Sequence, residues 1–374
     1  MRTIYVAATG QHVGKTTSTL GLVSNLKAMG FKTGYCKPVG QESVTHEGIE
    51  ADKDAVLFAE VAGFKIIPQQ HSPVLIGRGV TKEYISHPEA FHFEEKIKRA
   101  AEQLNSEHDI VVYEGTGHPA VGSVCDLSNA RVAKMLDAGV IIIVEGGIGR
   151  TIDKLTLCMS LFQRENVPIL GVIINKVQQS KIKQTRYYLE KKLGTMGIPI
   201  LGMLPYDQSL SFPIMETIQQ AVGGKTILNA DQLNHRVEDI IAGSLVDVDE
   251  FNKFKNILLV ASIKRLNEAI TKVETITRLK GLKGSPLSGV IVTGDGRHAK
   301  WYDEADLNNP YFRKHRIPVV TTKLDTYGSV VKISRIEVKI NAQTPWKVKR
   351  AIQLIRQHVD MDQLVGKLEL NQAR

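Results

Sequence analysis

The residues best suited to chemistry lie in one run near the start of the chain: Thr9-Gly10-Gln11-His12-Val13-Gly14-Lys15-Thr16-Thr17. Between a strand and a helix, such a run exposes backbone N–H groups to phosphate oxygens, and the helix N-terminus adds partial positive charge. Gly14 permits close approach of the backbone, Lys15 neutralises the outer phosphates, and the Thr16 hydroxyl can hold magnesium. Thr9 replaces the first glycine of the usual pattern. The run therefore predicts a variant loop that binds ATP and Mg²⁺, against the alternative of a chance match at a helix cap.

Two further polar side chains end apolar runs. Glu114 ends the run Asp109–Glu114, where a carboxylate can hold Mg²⁺ directly or through water. Asn175 ends the run Pro168–Asn175, and its amide can donate to and accept from the edge of an adenine base. The alternatives are a solvent-exposed acid at a strand end and an asparagine in a turn. We expect both residues to contribute to the nucleotide site.

These residues are positioned by short apolar runs that alternate with amphipathic stretches over the first 210 residues. Several runs are apolar at nearly every position, which is typical of strands buried on both faces of a parallel sheet. The alternation predicts a doubly wound, mostly parallel α/β sheet of the P-loop NTPase class. The predicted strands are Thr3–Thr9, Thr33–Val39, Asp109–Glu114, Gly139–Glu145, Pro168–Asn175 and Ile198–Leu204.

The segment Gly223-Gly224-Lys225 predicts a boundary at which a second domain begins. The first domain would comprise residues 1–222, and a smaller α/β domain would comprise residues 223–374. A chain of 374 residues is long enough for two cores. Helices are predicted at about 263–280 and 345–358, and strands at Asn256–Ala261, Ser288–Thr293 and Ile317–Thr321.

Composition narrows the classes of function. No apolar run approaches the ~20 residues of a membrane span, so we expect no membrane partner. The formal charge is +9, but the basic residues are spread out without interleaved aromatic residues, so we expect anionic nucleotides rather than nucleic acid as partners. Cys36, Cys125 and Cys158 lie far apart, which favours a reducing, cytoplasmic location over a disulfide framework.

The first half of the chain resembles dethiobiotin synthetase and its relatives, the ATP-dependent cobyrinate and cobyrate amide synthases. The resemblance covers about the first 210 residues and begins in the phosphate-binding run. It continues in Gly34-Tyr35-Cys36-Lys37-Pro38-Val39, in Tyr113-Glu114-Gly115-Thr116-Gly117-His118-Pro119-Ala120, and in Gly171-Val172-Ile173-Ile174-Asn175-Lys176.

The resemblance implies roles for several of these residues. Lys37 stands where the ligases place a lysine toward the substrate and the transferred phosphate, so Lys15 and Lys37 are the candidate catalytic residues. Asp54 matches the second magnesium acid, with Asp52 as a close alternative, and Thr16 and Glu114 complete the predicted metal site. Asn175 would read the adenine base. The family also implies a homodimer.

The second half resembles the DRTGG domain, which follows a dethiobiotin-synthetase-like module in long phosphotransacetylases. Lys264-Arg265 stand where this domain has Asp-Arg, and Asp295 replaces a glycine. The segments that carry the resemblance are Leu233–Asp239, Val290–Gly296 and Ile317–Thr321.

Two functions remain open from the sequence. The favoured one is a nucleotide-sensing or regulatory protein that acts through its DRTGG-like half. The alternative is an ATP-dependent ligase that phosphorylates a small carboxylate or carbamate substrate. His12 and Gln41 depart from the dethiobiotin synthetase pattern where the substrate would bind, and no cysteine follows Cys158 to serve as a glutaminase nucleophile. We therefore expect neither dethiobiotin synthesis nor glutamine-dependent amidation.

Overall fold

The computed structural model describes residues 2–247, 254–294 and 307–370. The chain divides into two compact units, of which the first contains Met1–Asp207 and Ile340–Arg374, and the second contains Gln208–Lys339. The boundary thus lies earlier than the predicted one after residue 222, and the last segment belongs to the first unit rather than to the second. None of the helices in the described ranges combines the length and the hydropathy needed to cross a membrane.

The first unit alternates strands with helices, as the sequence pattern predicts. Its strands are β1 Arg2–Ala8, β2 Thr33–Cys36, β3 Val39–Gly40, β4 Ser43–His46, β5 Ile49–Asp52, β6 Val74–Leu75, β7 Ile110–Glu114, β8 Gly139–Glu145, β9 Ile169–Val177 and β10 Ile200–Pro205. Its helices up to this point are α1 Lys15–Ala28, α2 Lys53–Ala62, α3 Pro68–His71, α4 Val80–Ser86, α5 Phe93–Glu107, α6 Asn129–Met135, α7 Gly149–Arg164 and α8 Ile182–Thr195.

Six of these strands form one parallel sheet in the order β10-β9-β8-β1-β7-β2. They are the six strands that the sequence predicts, and the doubly wound fold class is confirmed. Alternate side chains of each strand enter two apolar cores, one on each face of the sheet. In β1, Tyr5 belongs to one core while Ile4 and Val6 belong to the other. Burial on both faces explains why these strands are apolar at successive positions.

The second unit is a smaller α/β unit, as predicted. Its strands are β11 Lys225–Leu228, β12 Asp239–Ala242, β13 Ile257–Ser262, β14 Leu287–Thr293 and β15 Val319–Thr322, and its helices are α9 Met215–Ala221, α10 Ile263–Leu279, α11 Pro310–Lys314 and α12 Thr326–Ser334. The sheet order is β11-β15-β14-β13-β12, with β11 antiparallel to its neighbour. Asp295 and Gly296, which the DRTGG resemblance includes, lie outside the described residues.

Packing explains both differences from the predicted boundary. Met215 and Ile218 of α9 are fully buried in the core of the second unit, so this unit begins before Gly223. The chain then returns to the first unit as α13 Pro345–His358 and α14 Met361–Leu370. A Cβ at Gly21 of α1 would lie 2.3 Å from Cγ1 of Ile355, which shows how closely α13 packs against α1.

Candidate nucleotide and metal site

The phosphate-binding run forms a loop between β1 and α1, at the carboxyl end of the central sheet. The Thr9 amide donates to the carbonyl of Ile143 at 3.0 Å, so the loop begins as a continuation of the pairing between β1 and β8. Gly14, just before α1, has φ 100°. A Cβ at Gly14 would lie 2.1 Å from Nδ2 of Asn175. This position accepts only glycine, both for its left-handed backbone and for lack of space.

The start of α1 is arranged to receive an anion. Among the described residues no side chain caps this helix, and its first turn contains no acidic residue. The first backbone N–H groups of any helix have no carbonyl partner within it, so those of Lys15, Thr16 and Thr17 can bind phosphate oxygens. Burial, with the neighbouring charge of Lys37, lowers the pKa of Lys15 to about 8. A bound phosphate would favour the protonated form of Lys15, so the donor set fits a nucleotide.

Two consecutive residues near the end of β9 donate hydrogen bonds to carbonyl groups of the loop. Asn175 donates from Nδ2 to the carbonyl of Val13 at 2.8 Å. Lys176 donates from Nζ to the carbonyl of His12 at 2.5 Å and to Oε1 of Glu145 at 3.1 Å. The amide of Asn175 therefore supports the loop in this structure, and its role toward an adenine base stays a prediction.

A cluster of oxygen ligands adjoins the start of α1. Thr16 donates from Oγ1 to Oε1 of Glu114 at 2.7 Å. Lys37 donates from Nζ to Oδ2 of Asp54 at 2.5 Å and to the same Oε1 of Glu114 at 3.3 Å. The side chain of Glu114 is 0% exposed, whereas that of Asp54 is 28% exposed and forms the open side of the cluster. A hydroxyl and two carboxylates are the hard donors that Mg²⁺ prefers, so these residues fit this metal.

Asp52, the alternative to Asp54 as the second magnesium acid, is buried next to this cluster and caps α2. Its Oδ1 accepts a hydrogen bond from the Asp54 amide at 2.8 Å. It is 2% exposed, and Oδ2 occupies the space that a Cβ at Gly40 would need. Burial, partly offset by Lys37, raises the pKa of Asp52 to about 6. Asp54 is thus the acid in direct contact with Lys37, while Asp52 fixes the backbone that carries it.

The charges of the cluster depend on one another. Burial raises the pKa of Glu114, and the Lys37 charge opposes that rise. Burial alone would lower the pKa of Lys37, but Glu114 and Asp54 outweigh this effect and raise it. Lys37 therefore remains a cation in a site from which water is almost excluded.

Every residue predicted for the site lies in the loop or in the first turn of α1, or is linked to one of them by these hydrogen bonds, although Gln11 and His12 are exposed. Sequence reasoning missed Tyr35, whose hydroxyl donates to Oε2 of Glu114 at 3.3 Å. Its position in β2, two residues before Lys37, was a usable signal, because side chains two residues apart in extended backbone point to the same side. It also missed Lys176, for which no spacing rule was available.

Comparison with known proteins defines the family. The sequence pattern of the AAA domain matches residues 2–213. This chain belongs to the AAA domain family. The match contains the loop and the oxygen cluster, and it ends close to the boundary between the two units.

Three relatives of this AAA domain protein match different shares of its length. It is 24% identical to a phosphate acetyltransferase of Nitrosomonas europaea over 98% of its own length and 51% of the relative. It is 31% identical to a cobyric acid synthase of Carboxydothermus hydrogenoformans, over 58% of its own length and 48% of the relative. It is 26% identical to an ATP-dependent dethiobiotin synthetase of Clostridium acetobutylicum, over 55% of its own length and 87% of the relative. The chain spans about half the length of the phosphate acetyltransferases that it matches.

Proposed function

We propose that the first unit binds ATP together with Mg²⁺ and that its nucleotide state regulates the second unit, a DRTGG-like accessory unit, and through it a partner activity. The observation that carries the proposal is the cluster of Thr16, Glu114, Lys37 and Asp54 at the start of α1. A hydroxyl, two carboxylates and a buried lysine at a phosphate-binding loop are the groups that a nucleotide–magnesium complex requires.

Different side chains would bind the phosphates and the metal. The loop N–H groups and Lys15 would hold the phosphates, and Thr16 and Glu114 would hold the metal with Asp54 on its open side. Mg²⁺, when bound, would screen the charge of the outer phosphates. Lys37 carries a positive charge that could pair with the terminal phosphate.

The proposed regulatory function is supported by how much of this chain its relatives match. The phosphate acetyltransferase of Nitrosomonas europaea aligns over 98% of this chain, which includes both units. The dethiobiotin synthetase and the cobyric acid synthase align over only 55% and 58%. The phosphate acetyltransferase therefore matches both units, whereas the other two relatives match only a little more than half of this chain. A ligase that phosphorylates a small carboxylate is the second candidate, supported by the presence of Lys37 beside the predicted metal site.

Isothermal titration calorimetry on the full chain tests the proposal. ATP should bind with one site per chain when Mg²⁺ is present and more weakly when it is absent. Incubation with MgATP should also change the protection from hydrogen exchange of peptides in Gln208–Lys339. Absence of ATP binding rejects the nucleotide site, and ATP binding without any change in the second unit rejects the regulatory part.

A further inference from the structure

Lys37 occupies the space between the two carboxylates that are proposed to hold metal. Its Nζ lies 2.5 Å from Oδ2 of Asp54 and 3.3 Å from Oε1 of Glu114. Thr16 donates to that same Oε1 at 2.7 Å. All three proposed metal ligands are thus joined to each other through Glu114 and Lys37, with a lysine ammonium at the centre.

Simultaneous occupancy by a lysine and a divalent cation is unfavourable at this position. An ammonium within about 3 Å of both carboxylates uses the lone pairs that a metal needs, and a metal bound there would repel it strongly in such a dry site. The Lys37 side chain is only 5% exposed and that of Glu114 is 0% exposed, so solvent screens this repulsion little.

The backbone of Lys37 is fixed, while its side chain has four rotatable bonds. The Lys37 amide donates to the carbonyl of His71 at 2.8 Å, and Pro38 follows it. The ammonium can therefore leave the carboxylates only by rotation of its own side chain, and it needs a new anionic partner when it does so. Asp54, on the open side of the cluster, marks the direction from which such a partner can arrive.

We infer that Lys37 is an internal counter-ion that makes metal binding conditional on phosphate. Without nucleotide, the Lys37 ammonium pairs with both Glu114 and Asp54 and excludes free Mg²⁺. When a nucleotide arrives, its terminal phosphate accepts the ammonium, the carboxylates become available, and metal and nucleotide bind as one unit. This inference rests on the proposed function and adds to it an order of events in which the protein ignores free divalent cations. Lys37 is in this respect a positioning residue.

Titration with Mn²⁺ alone, followed by electron paramagnetic resonance, tests the inference on the full chain without nucleotide. Lys37→Gln removes the charge but retains a hydrogen-bond donor for Asp54. It should bind Mn²⁺ at least about tenfold more tightly than the wild type, since the competing cation is gone. Lys53→Gln is the matched control, because Lys53 precedes Asp54 but pairs with Glu42 at 3.7 Å, away from the cluster. It should behave as the wild type.

A parallel titration with the non-hydrolysable β,γ-imido analogue of ATP separates the two proposals. A wild type that fails to bind Mn²⁺ and the analogue together rejects the proposed function. A wild type that binds both, with a folded Lys37→Gln variant that binds free Mn²⁺ no better, overturns only the role of Lys37.

If circular dichroism shows that Lys37→Gln does not fold, measurements of Mn²⁺ affinity on the wild type test the inference instead. Its affinity for Mn²⁺ should then be at least about tenfold higher with the analogue than without it, beyond the affinity of the analogue itself for Mn²⁺. Equal affinity in the two conditions overturns the inference.

Discussion

Thr16 and Glu114 are joined by a 2.7 Å hydrogen bond across 98 residues of sequence. The contact follows from the sheet, because β1 and β7 are parallel neighbours with Val6 opposite Glu114. The loop after β1 and the last residue of β7 therefore meet at one edge, as expected for the ligand-binding edge of an open parallel sheet. This pair links the predicted phosphate site to the predicted metal site.

Replacement of Lys15 tests the phosphate site. Lys15→Ala should weaken ATP binding by about 10- to 100-fold, since one charge-assisted hydrogen bond contributes roughly 1.5–3 kcal/mol. The fold should persist because the substitution removes little buried apolar surface. Calorimetry on the folded variant measures the loss, with Lys82→Ala, an exposed lysine of α4, as the control. Unchanged affinity in Lys15→Ala would falsify the assignment of the loop.

Replacement of Glu114 tests the metal site. ATP should bind more tightly with Mg²⁺ than without it, and Glu114→Gln should reduce that gain by at least about tenfold, or about 1.4 kcal/mol. The physical reason is the loss of an ionic oxygen ligand beside Thr16. Calorimetry with and without Mg²⁺ gives the gain for each protein, and the exposed Glu107→Gln serves as the matched control. An equal gain in Glu114→Gln and wild type would place the metal elsewhere.

Acidification should destabilise the protein through His71. This side chain is 7% exposed, and its Nδ1 lies 3.0 Å from the Ile67 amide nitrogen and 3.1 Å from the Ile67 carbonyl oxygen. Burial lowers the pKa of His71 to about 4. The neutral form is therefore favoured in the folded state, and the unfolded chain binds the proton first as the pH falls from about 6.5 to 4.

The wild type should accordingly lose about 1–3 kcal/mol more unfolding free energy between pH 7 and pH 4.5 than His71→Gln does. Urea unfolding at the two pH values measures the difference. His87→Gln, at an exposed histidine, should retain the full pH dependence of the wild type. Identical pH dependence of the wild type and His71→Gln would show that His71 is not responsible.

The departures at His12 and Gln41 predict that this protein makes no dethiobiotin. A pocket built to hydrogen-bond its substrate loses orders of magnitude in rate when those partners are replaced. Diaminopelargonate, bicarbonate and MgATP should yield no dethiobiotin by mass spectrometry, with an authentic synthetase as the positive control. Slow ATP hydrolysis is compatible with this result. Ready formation of dethiobiotin would make the ligase candidate the correct one.

The sequence by itself determined the central sheet and the location of the loop. The six apolar runs of the first unit became the six strands of its central sheet because burial on both faces leaves a local signal at every position of a strand. The loop was found for the same reason, since Gly14, Lys15 and Thr16 act as neighbours in sequence. Strand neighbours also placed Glu114 near the loop before any contact was known.

Only the tertiary structure decided how the distant groups pair. It placed Lys37 between Asp54 and Glu114, and it put Asp52 behind Asp54 as a helix cap. It also returned α13 to the first unit, where Ile355 covers Gly21. An amphipathic pattern at 345–358 shows that a helix has an apolar face but not which core that face enters. That choice is made by the fit of side chains that lie more than 300 residues apart, and no local pattern contains it.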